Sequence, residues 1–271
     1  MFSVLILTLN EERNLPLCLA SVAGCDDVVV LDSGSTDRTV LLAEAAGTRV
    51  FNRPFDNFAG QRNHAQKQIA FRYPWVFHLD ADETFTPELL AECRMRAGEN
   101  DDSLDGYLVA PMMMWEGRWI PHCTDYPAYQ ARFVRASRFE FIEVGHGQRE
   151  SPLMRMGHLQ ISYRHDLSAG GEAEWLAKHR RYAEAEARTH LGEATGIFWG
   201  HLVSADPLRR RRALKQLSYH LPCRPALRFV YQYFFRGGFL DGAAGLHYCR
   251  LLARYEGFTS AELRRLSTIS R

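Results

Sequence analysis

The 271-residue chain is short of several things, and each shortage closes off a class of protein. Its six cysteines, Cys18, Cys25, Cys93, Cys123, Cys223 and Cys249, never fall in C-x-x-C spacing. Neither a zinc site nor a disulfide framework is expected, and a reducing compartment fits. No apolar run reaches the roughly 18 to 20 residues that cross a bilayer. The formal net charge is only +1, which argues against a wholly basic nucleic-acid binder but says nothing about local patches. No basic stretch leads the opening MFSVLILTLNEE, which reads as a first core strand and not as a signal peptide. Internal repeats and low-complexity linkers are absent from the sequence. What remains is 46% hydrophobic and 24% charged, enough to pack one large or two small domains.

The first hundred residues alternate strand and helix signals. SVLILT (Ser3–Thr8), DVVVLD (Asp27–Asp32), TRVFN (Thr48–Asn52) and WVFHLD (Trp75–Asp80) are apolar runs of strand length. Between and after them lie helical patterns. One sets Leu15, Leu19 and Val22 on one face; a second covers Thr39–Ala46, opened by the cap-type residues Ser35, Thr36 and Asp37. The others cover Ala59–Phe71 and Pro87–Ala97, the last with proline at its start. Such alternation predicts an α/β fold with a mostly parallel sheet and right-handed crossovers. From about residue 105 shorter strands follow (GYLVAPMMM, RWI, YQARFVR, RFEFIEV), read as an antiparallel extension of that sheet. After Ser168 the character turns helical, beginning with the amphipathic Ala173–Leu191. The expected division is residues 1–168 and 169–271.

Parallel sheets bind ligands beyond the carboxyl ends of their strands. Three of those ends are polar here: Thr8, Asn10 and Glu11; Asp32, Ser33 and Ser35; Asp80, Asp82 and Glu83. Any one is an ordinary turn or cap, but three on one edge suggest a site. Asp80-Ala81-Asp82 sets two carboxylates across a turn at a strand end, where uncompensated charge is costly. A hard divalent cation, Mg2+ or Mn2+, would offset it and leave coordination positions for phosphate oxygens. A solvated turn before the helix at Pro87 is the plain alternative. Asp32 could accept hydrogen bonds from a base or ribose, Asp37 reads equally as a first-turn residue, and Arg62 faces phosphate, a base edge or solvent.

TLNEERNL, VLDSGSTDRT, GQRN and HLDADE, in that order and spacing, resemble the family 2 glycosyltransferases of GT-A fold. The likeness is greatest to the lipopolysaccharide core β-glucosyltransferase group, and it runs through roughly the first 150 residues. It implies an inverting transfer from a nucleotide-activated sugar, UDP-glucose first, to a lipid-linked glycan, lipopolysaccharide or exopolysaccharide acceptor. By that resemblance Asp32 contacts the base while Thr8, Asn10, Glu11 and Ser33 line the nucleotide pocket with Arg62. Asp80 faces the nucleotide sugar and Asp82 is the main metal ligand. An inverting transfer needs a base, and here the chain departs from its relatives. DYPAYQARF has Ala128 where they carry an aspartate, and VGHGQRE replaces a simple His-Glu pair. Glu150 is the chosen base and Asp125 the second; His146 or Glu143 could substitute. His165, in SYRHD, reads as a metal or phosphate contact or as a structural histidine.

Residues 206–236 hold eight Arg or Lys against one Asp, with aromatics interleaved. Arg209–Arg212 with Phe229, Tyr231, Tyr233, Phe234 and Phe235 suit an anionic bilayer surface. Single-stranded nucleic acid and a plain helical pack are the other readings. The expectation is a cytoplasmic protein on the inner face of the cytoplasmic membrane, with no nucleic-acid partner. Two rival functions remain. VFHLDADET also fits the start of a haloacid dehalogenase-type phosphohydrolase, with Asp80 as nucleophile, but three strand signals precede it and no partner Lys or Asp pair follows. A non-catalytic carbohydrate-binding protein is the other. A sugar-nucleotide pyrophosphorylase would need a glycine-rich loop after strand one, and LTLNEERNL has no glycine.

Overall fold

A computed structural model describes residues 1–99, 102–144, 147–192, 203–219, 221 and 223–269. The chain divides into two compact units, residues 1–117 with 125–169, and residues 118–124 with 170–271. That the short stretch 118–124 belongs with the C-terminal unit has no signal in the sequence.

In the first unit the apolar runs become strands β1 (Ser3–Thr8), β2 (Val28–Asp32), β3 (Arg49–Asn52) and β4 (Trp75–Asp80). They are joined by helices α1 (Leu15–Ser21), α2 (Thr39–Ala45) and α3 (Phe58–Gln68). All four strands are parallel, in the order β4-β1-β2-β3. β1, β2 and β4 are almost wholly buried, as continuous Val/Ile/Leu runs between two helical layers should be. α3 starts where Asn57 caps the Gly60 N–H, and α4 (Pro87–Gly98) where Thr86 caps Leu89 ahead of a proline. α2 has no side-chain cap at its Arg38 start; Asp37 takes the Thr39 N–H instead.

Beyond β4 come β5 (Glu83–Thr84), β6 (Gly106–Val109), β7 (Pro111–Trp115), β8 (Arg118–Trp119) and β9 (Gln130–Arg135). A hairpin of β10 (Phe141–Val144) and β11 (Gly147–Glu150) follows, then β12 (Met156–His158) and β13 (Tyr163–Asp166). β9 runs antiparallel to both β4 and β6, so the main sheet reads β12-β6-β9-β4-β1-β2-β3. The GT-A arrangement expected from the sequence, a mostly parallel sheet with an antiparallel extension, is present. The core beneath the extension is aromatic: Trp75 stacks on Phe133 at 4.9 Å, and Phe77 meets Phe85 at 4.5 Å. A second sheet sets β13 between β5 and β7.

The second unit carries helices α5 (Gly171–Gly192), α6 (Pro207–Ser218), α7 (Arg224–Val230) and α8 (Gly242–Ile269). A π turn at Tyr231–Phe235 and a 3-10 turn at Gly238–Asp241 lie between the last two. α5, α7 and α8 pack around a buried polar hub. Arg224 pairs with Glu256 at 2.8 Å and lies over the Tyr219 ring, while the hydroxyls of Tyr219 and Tyr255 donate to the two oxygens of Glu186. Among the described residues no helix is long and apolar enough to cross a membrane.

Candidate functional site

Strand order reverses at β1, because β2 and β3 lie on one side of it and β4 on the other. Clefts at such switch points are where parallel α/β sheets bind ligands. The loops at the carboxyl ends of β1, β2 and β4 are therefore the place to look, and they hold the residues singled out from the sequence.

The β1 and β2 loops are knitted together. Thr8 Oγ1 donates to Asp32 Oδ1 at 2.8 Å, and the Ser35 hydroxyl donates to the same oxygen at 2.6 Å. The N–H groups of Gly34 and Ser35 donate to Oδ2 at 2.9 and 2.7 Å. Burial alone would raise the Asp32 pKa, but these bonds to the charged form hold it below the ordinary value. Asp32 is 0% exposed and all its acceptor positions are filled. The carboxylate expected at the base thus braces the loop, and a base contact requires exchange of one of these bonds. Asn10 takes a left-handed φ of 57°, which Asn tolerates, and its Oδ1 accepts the Thr36 N–H at 2.8 Å. The Glu11 N–H donates to Thr39 Oγ1, and the Ser33 N–H donates to the Thr8 carbonyl. Asp37 also braces, accepting from the N–H groups of Glu12 and Thr39.

At the end of β4 the counter-charge on Asp80 comes from arginine. Arg62, on α3 and 1% exposed, donates to Asp80 Oδ1 at 2.6 Å. Arg132, on β9, donates to Oδ2 from both terminal nitrogens at 3.2 Å and reaches Glu83 Oε1 at 2.7 Å. Glu83 closes the ring by accepting the Asp80 N–H at 2.8 Å. Although burial pushes the Asp80 carboxyl up, the two guanidinium groups hold it well below the ordinary range. Glu83 is fully buried and raised to about 7, by burial first and then by the charges of Asp80 and Asp82, with Arg132 and His165 opposing. Both oxygens of Asp80, expected to share a cation with Asp82, are in ion pairs with these arginines.

Asp82 is about as exposed as Asp80, 25% against 27% at the side chain. Its Oδ2 lies 3.4 Å from His165 Nε2, and His165 Nδ1 lies 3.5 Å from Glu83 Oε1. The register of β13 on β5 produces this, because His165 pairs directly with Glu83. Burial would lower the His165 pKa, but the hydrogen bond and charge of Asp82, with Glu83 and Asp80, raise it to about 9. The carboxylate oxygen suits Mg2+ or Mn2+, and the imidazole nitrogen, once it gives up its proton, suits Mn2+ better than Mg2+. Adjacent ligands of an octahedral ion with ~2.1 Å bonds sit about 3 Å apart, close to the spacing here. The pair fits such an ion and leaves most of its positions open. No cluster of three or more candidate ligands forms a ready cage among the described residues. Arg62 keeps Nε and Nη1 unbonded though buried, and Arg132 keeps Nε. Those donors suit an anion in a way that neutral groups do not. His78, beneath them, is held neutral by burial and by the two arginines.

Glu150 lies on β11 directly opposite Phe141, on the same hairpin face. The Phe141 ring lies 5.9 Å from the Arg62 guanidinium, and Asn63 bonds both backbone groups of Phe141 at 2.8 and 2.9 Å. Glu150 is thereby tethered to the arginine helix. Asp125 is exposed in the segment between β8 and β9, and Glu143 is exposed toward the tip of the hairpin. His146 lies outside the described residues. Sequence reasoning gave no role to Arg132, which lies within DYPAYQARF, or to Glu83.

A model of the family described as glycosyl transferase family 2 matches residues 3–159. An uncharacterized glycosyltransferase of Rickettsia bellii is 33% identical over 114 residues, 41% of this chain and 38% of that protein. A lipopolysaccharide core biosynthesis glycosyltransferase, LpsC of Rhizobium meliloti, is 40% identical over 101 residues, 33% of this chain and 37% of that protein. The matched stretch thus spans only about two fifths of the length of these curated relatives. Among solved structures, S. aureus TarS 1-349 in complex with UDP-GlcNAc aligns over 98% of this chain and 91% of that one, at 18% identity and a TM-score of 0.46.

Proposed function

Because the chain belongs to glycosyl transferase family 2, we propose that it moves a sugar, with inversion, from a nucleotide-sugar donor to a hydroxyl group. The donor is a UDP-hexose. The acceptor is a lipid-linked or lipopolysaccharide-type glycan, a choice supported by the name of the Rhizobium meliloti relative. The observation that carries this reading is the Asp82–His165 pair standing beside an Asp80 clamped by two arginines, at the switch point of the sheet.

Asp82 and His165 would hold Mg2+ or Mn2+, which neutralises charge on a departing diphosphate. The remaining work belongs to the chain's own groups. The loops braced by Asp32 and Asn10 form the nucleotide pocket with Thr8, Glu11 and Ser33. Arg62 turns its spare N–H groups toward phosphate, and Asp80, fixed in direction by Arg62 and Arg132, accepts hydrogen bonds from the donor sugar. Glu150 takes the acceptor proton, with Asp125 the second candidate. The phosphohydrolase reading loses ground on one point: an Asp80 whose oxygens are both ion-paired is a poor nucleophile.

The test is release of nucleoside diphosphate from a panel of nucleotide sugars, with and without metal. Release should require Mg2+ or Mn2+, stop on chelation, and fall by more than about a hundredfold in Asp82→Ala, as when a charge-stabilising group is removed. Donor binding without release in the presence of candidate glycans would point to a carbohydrate-binding protein. Phosphate release from simple phosphomonoesters would point to the hydrolase. Attachment to the inner face of the cytoplasmic membrane, through the basic C-terminal segment, is part of the same proposal.

A further inference from the structure

The sequence points to Arg209–Arg212 with the aromatics of 229–235 as the membrane contact; the structure shows which of those rings are exposed and adds Phe239 and Leu240. Leu227, Tyr231, Phe234, Phe235, Phe239 and Leu240 are all exposed large hydrophobics, with Phe234 58%, Phe235 79% and Leu240 61% exposed. Six such side chains in so short a stretch exceed the scatter of single exposed apolar residues.

They do not belong to a loose tail. The π turn that carries Tyr231–Phe235 is anchored from beneath by Gln232, 3% exposed, whose Nε2 donates to the Cys123 carbonyl at 2.7 Å. Arg236 donates to the Thr124 carbonyl at 3.0 Å. Asp241 accepts the N–H of Cys123 at 2.8 Å and contacts the His122 ring. Gly238 lies so close to Cys249, Cys123 and the Gln232 carbonyl that a Cβ would overlap them. Phe229 and Tyr233 stack at 5.3 Å, and Tyr233 meets Phe234 edge-on. The outward rings are thus held out by a base that is itself fixed within its unit.

The surrounding charge selects the occupant. Residues 206–241 contain eight Arg or Lys against Asp206 and Asp241, and among the described ones only Arg224 is buried in an ion pair, on Glu256. A second copy of the chain would bring two such cationic stretches together, whereas an anionic lipid surface complements them. Aromatic rings beside arginines are also the composition favoured at the headgroup boundary. We propose that the π turn and the 3-10 turn after it form a rigid apolar wedge, led by Phe234, Phe235, Phe239 and Leu240, that inserts into the headgroup layer of an anionic bilayer. Arg209 and Arg210 of α6 supply attraction, and the wedge supplies attachment. This rests on the membrane-surface part of the function proposed above.

The experiment is flotation of the full chain with phosphatidylcholine vesicles, with and without phosphatidylglycerol. Phe234→Ser/Phe235→Ser should lose about tenfold in affinity for the phosphatidylglycerol vesicles, since partial burial of two rings accounts for at least ~1.4 kcal/mol. Phe234→Leu/Phe235→Leu should keep most of it. Arg209→Ala/Arg210→Ala should weaken binding mainly at low salt. Diphosphate release in detergent solution should be the same in all of them. Unchanged flotation of the serine variant overturns the wedge. Absence of vesicle binding, with a dimer in light scattering that the serine variant abolishes, assigns the surface to a second copy instead. Vesicle binding without diphosphate release leaves the wedge standing and removes the transferase reading, so the two fail separately.

Discussion

At the scale of single residues, the main finding is how charge is balanced at the end of β4. Arg132 touches both Asp80 and Glu83 and is itself buried. Removing it leaves the fully buried Glu83 with only the longer contact to His165 as counter-charge. Arg132→Leu should therefore cost about 3–5 kcal/mol, read as a lowered midpoint in urea, and Arg132→Lys should recover only part because a single ammonium cannot fork between two carboxylates. A leucine variant as stable as the parent would show that Arg132 is dispensable to the cluster. Glu150→Gln should lower the turnover rate by about 10² to 10⁴ with donor affinity unchanged; normal transfer by that variant would move the base to Asp125. The acidic strand end was legible in the sequence, because an apolar run closing on Asp-Ala-Asp-Glu asks for a counter-charge. Its source was not. Arg132 is 52 residues from Asp80, and Thr8 is 24 from Asp32. Only the order of strands in the sheet brings them together, and no local pattern encodes that order.

At the scale of elements, the hairpin β10–β11 carries Glu150 and hangs on α3 through the side chain of Asn63. Asn63→Ala removes both bonds, about 1 kcal/mol each. The expected result is faster hydrogen exchange along 141–150 and slower transfer, with diphosphate-donor binding kept. Protection unchanged from the parent would show that packing alone holds the hairpin. In the second unit, a Cβ at Gly245 would overlap the Gly238 carbonyl oxygen. Gly245→Ala should therefore cost about 1–3 kcal/mol by overpacking, seen as a lower thermal midpoint. The strands β1, β2 and β4 and the proline that opens α4 were readable, since buried parallel strands and a first-turn proline carry strong composition signals; the caps Asn57 and Thr86 were not read. The antiparallel insertion of β9 between β4 and β6 was readable only as strand-like sequence. The 28-residue α8 and the π turn before it were not separated within the helical tail, because a π turn has no residue preference that sets it apart from α-helix.

At the scale of the whole molecule, stability in acid should report the carboxylates that fold the sheet. Asp27 is buried at the opposite edge from the site and accepts from Ser3 Oγ, the Arg72 N–H and Arg49 Nη2. Burial raises its pKa, but these bonds outweigh burial and leave it below its ordinary value. A depressed carboxyl stabilises the fold above its unfolded pKa, about 3.9, and that contribution is lost as pH falls through the folded value. Asp27→Asn should thus unfold more readily near neutral pH yet show a flatter acid limb; a parent-like acid limb would assign acid sensitivity elsewhere. The two-unit division was partly legible from the change to helical composition after Ser168. The return of residues 118–124 to the second unit was not, because it depends on hydrogen bonds to Gln232, Arg236 and Asp241, all more than a hundred residues away. One feature also sets how the gene can drift. β5 offers just Glu83 and Thr84 to β13, opposite His165 and Arg164. A single codon gained or lost in the connector before Tyr163 would slide Arg164 or Asp166 into the histidine's berth and turn alternate side chains over. Such a protein would have lost the Asp82–His165 pair and turned the buried Tyr163 out of the aromatic core, so length in that connector, more than residue identity, decides whether the pair forms.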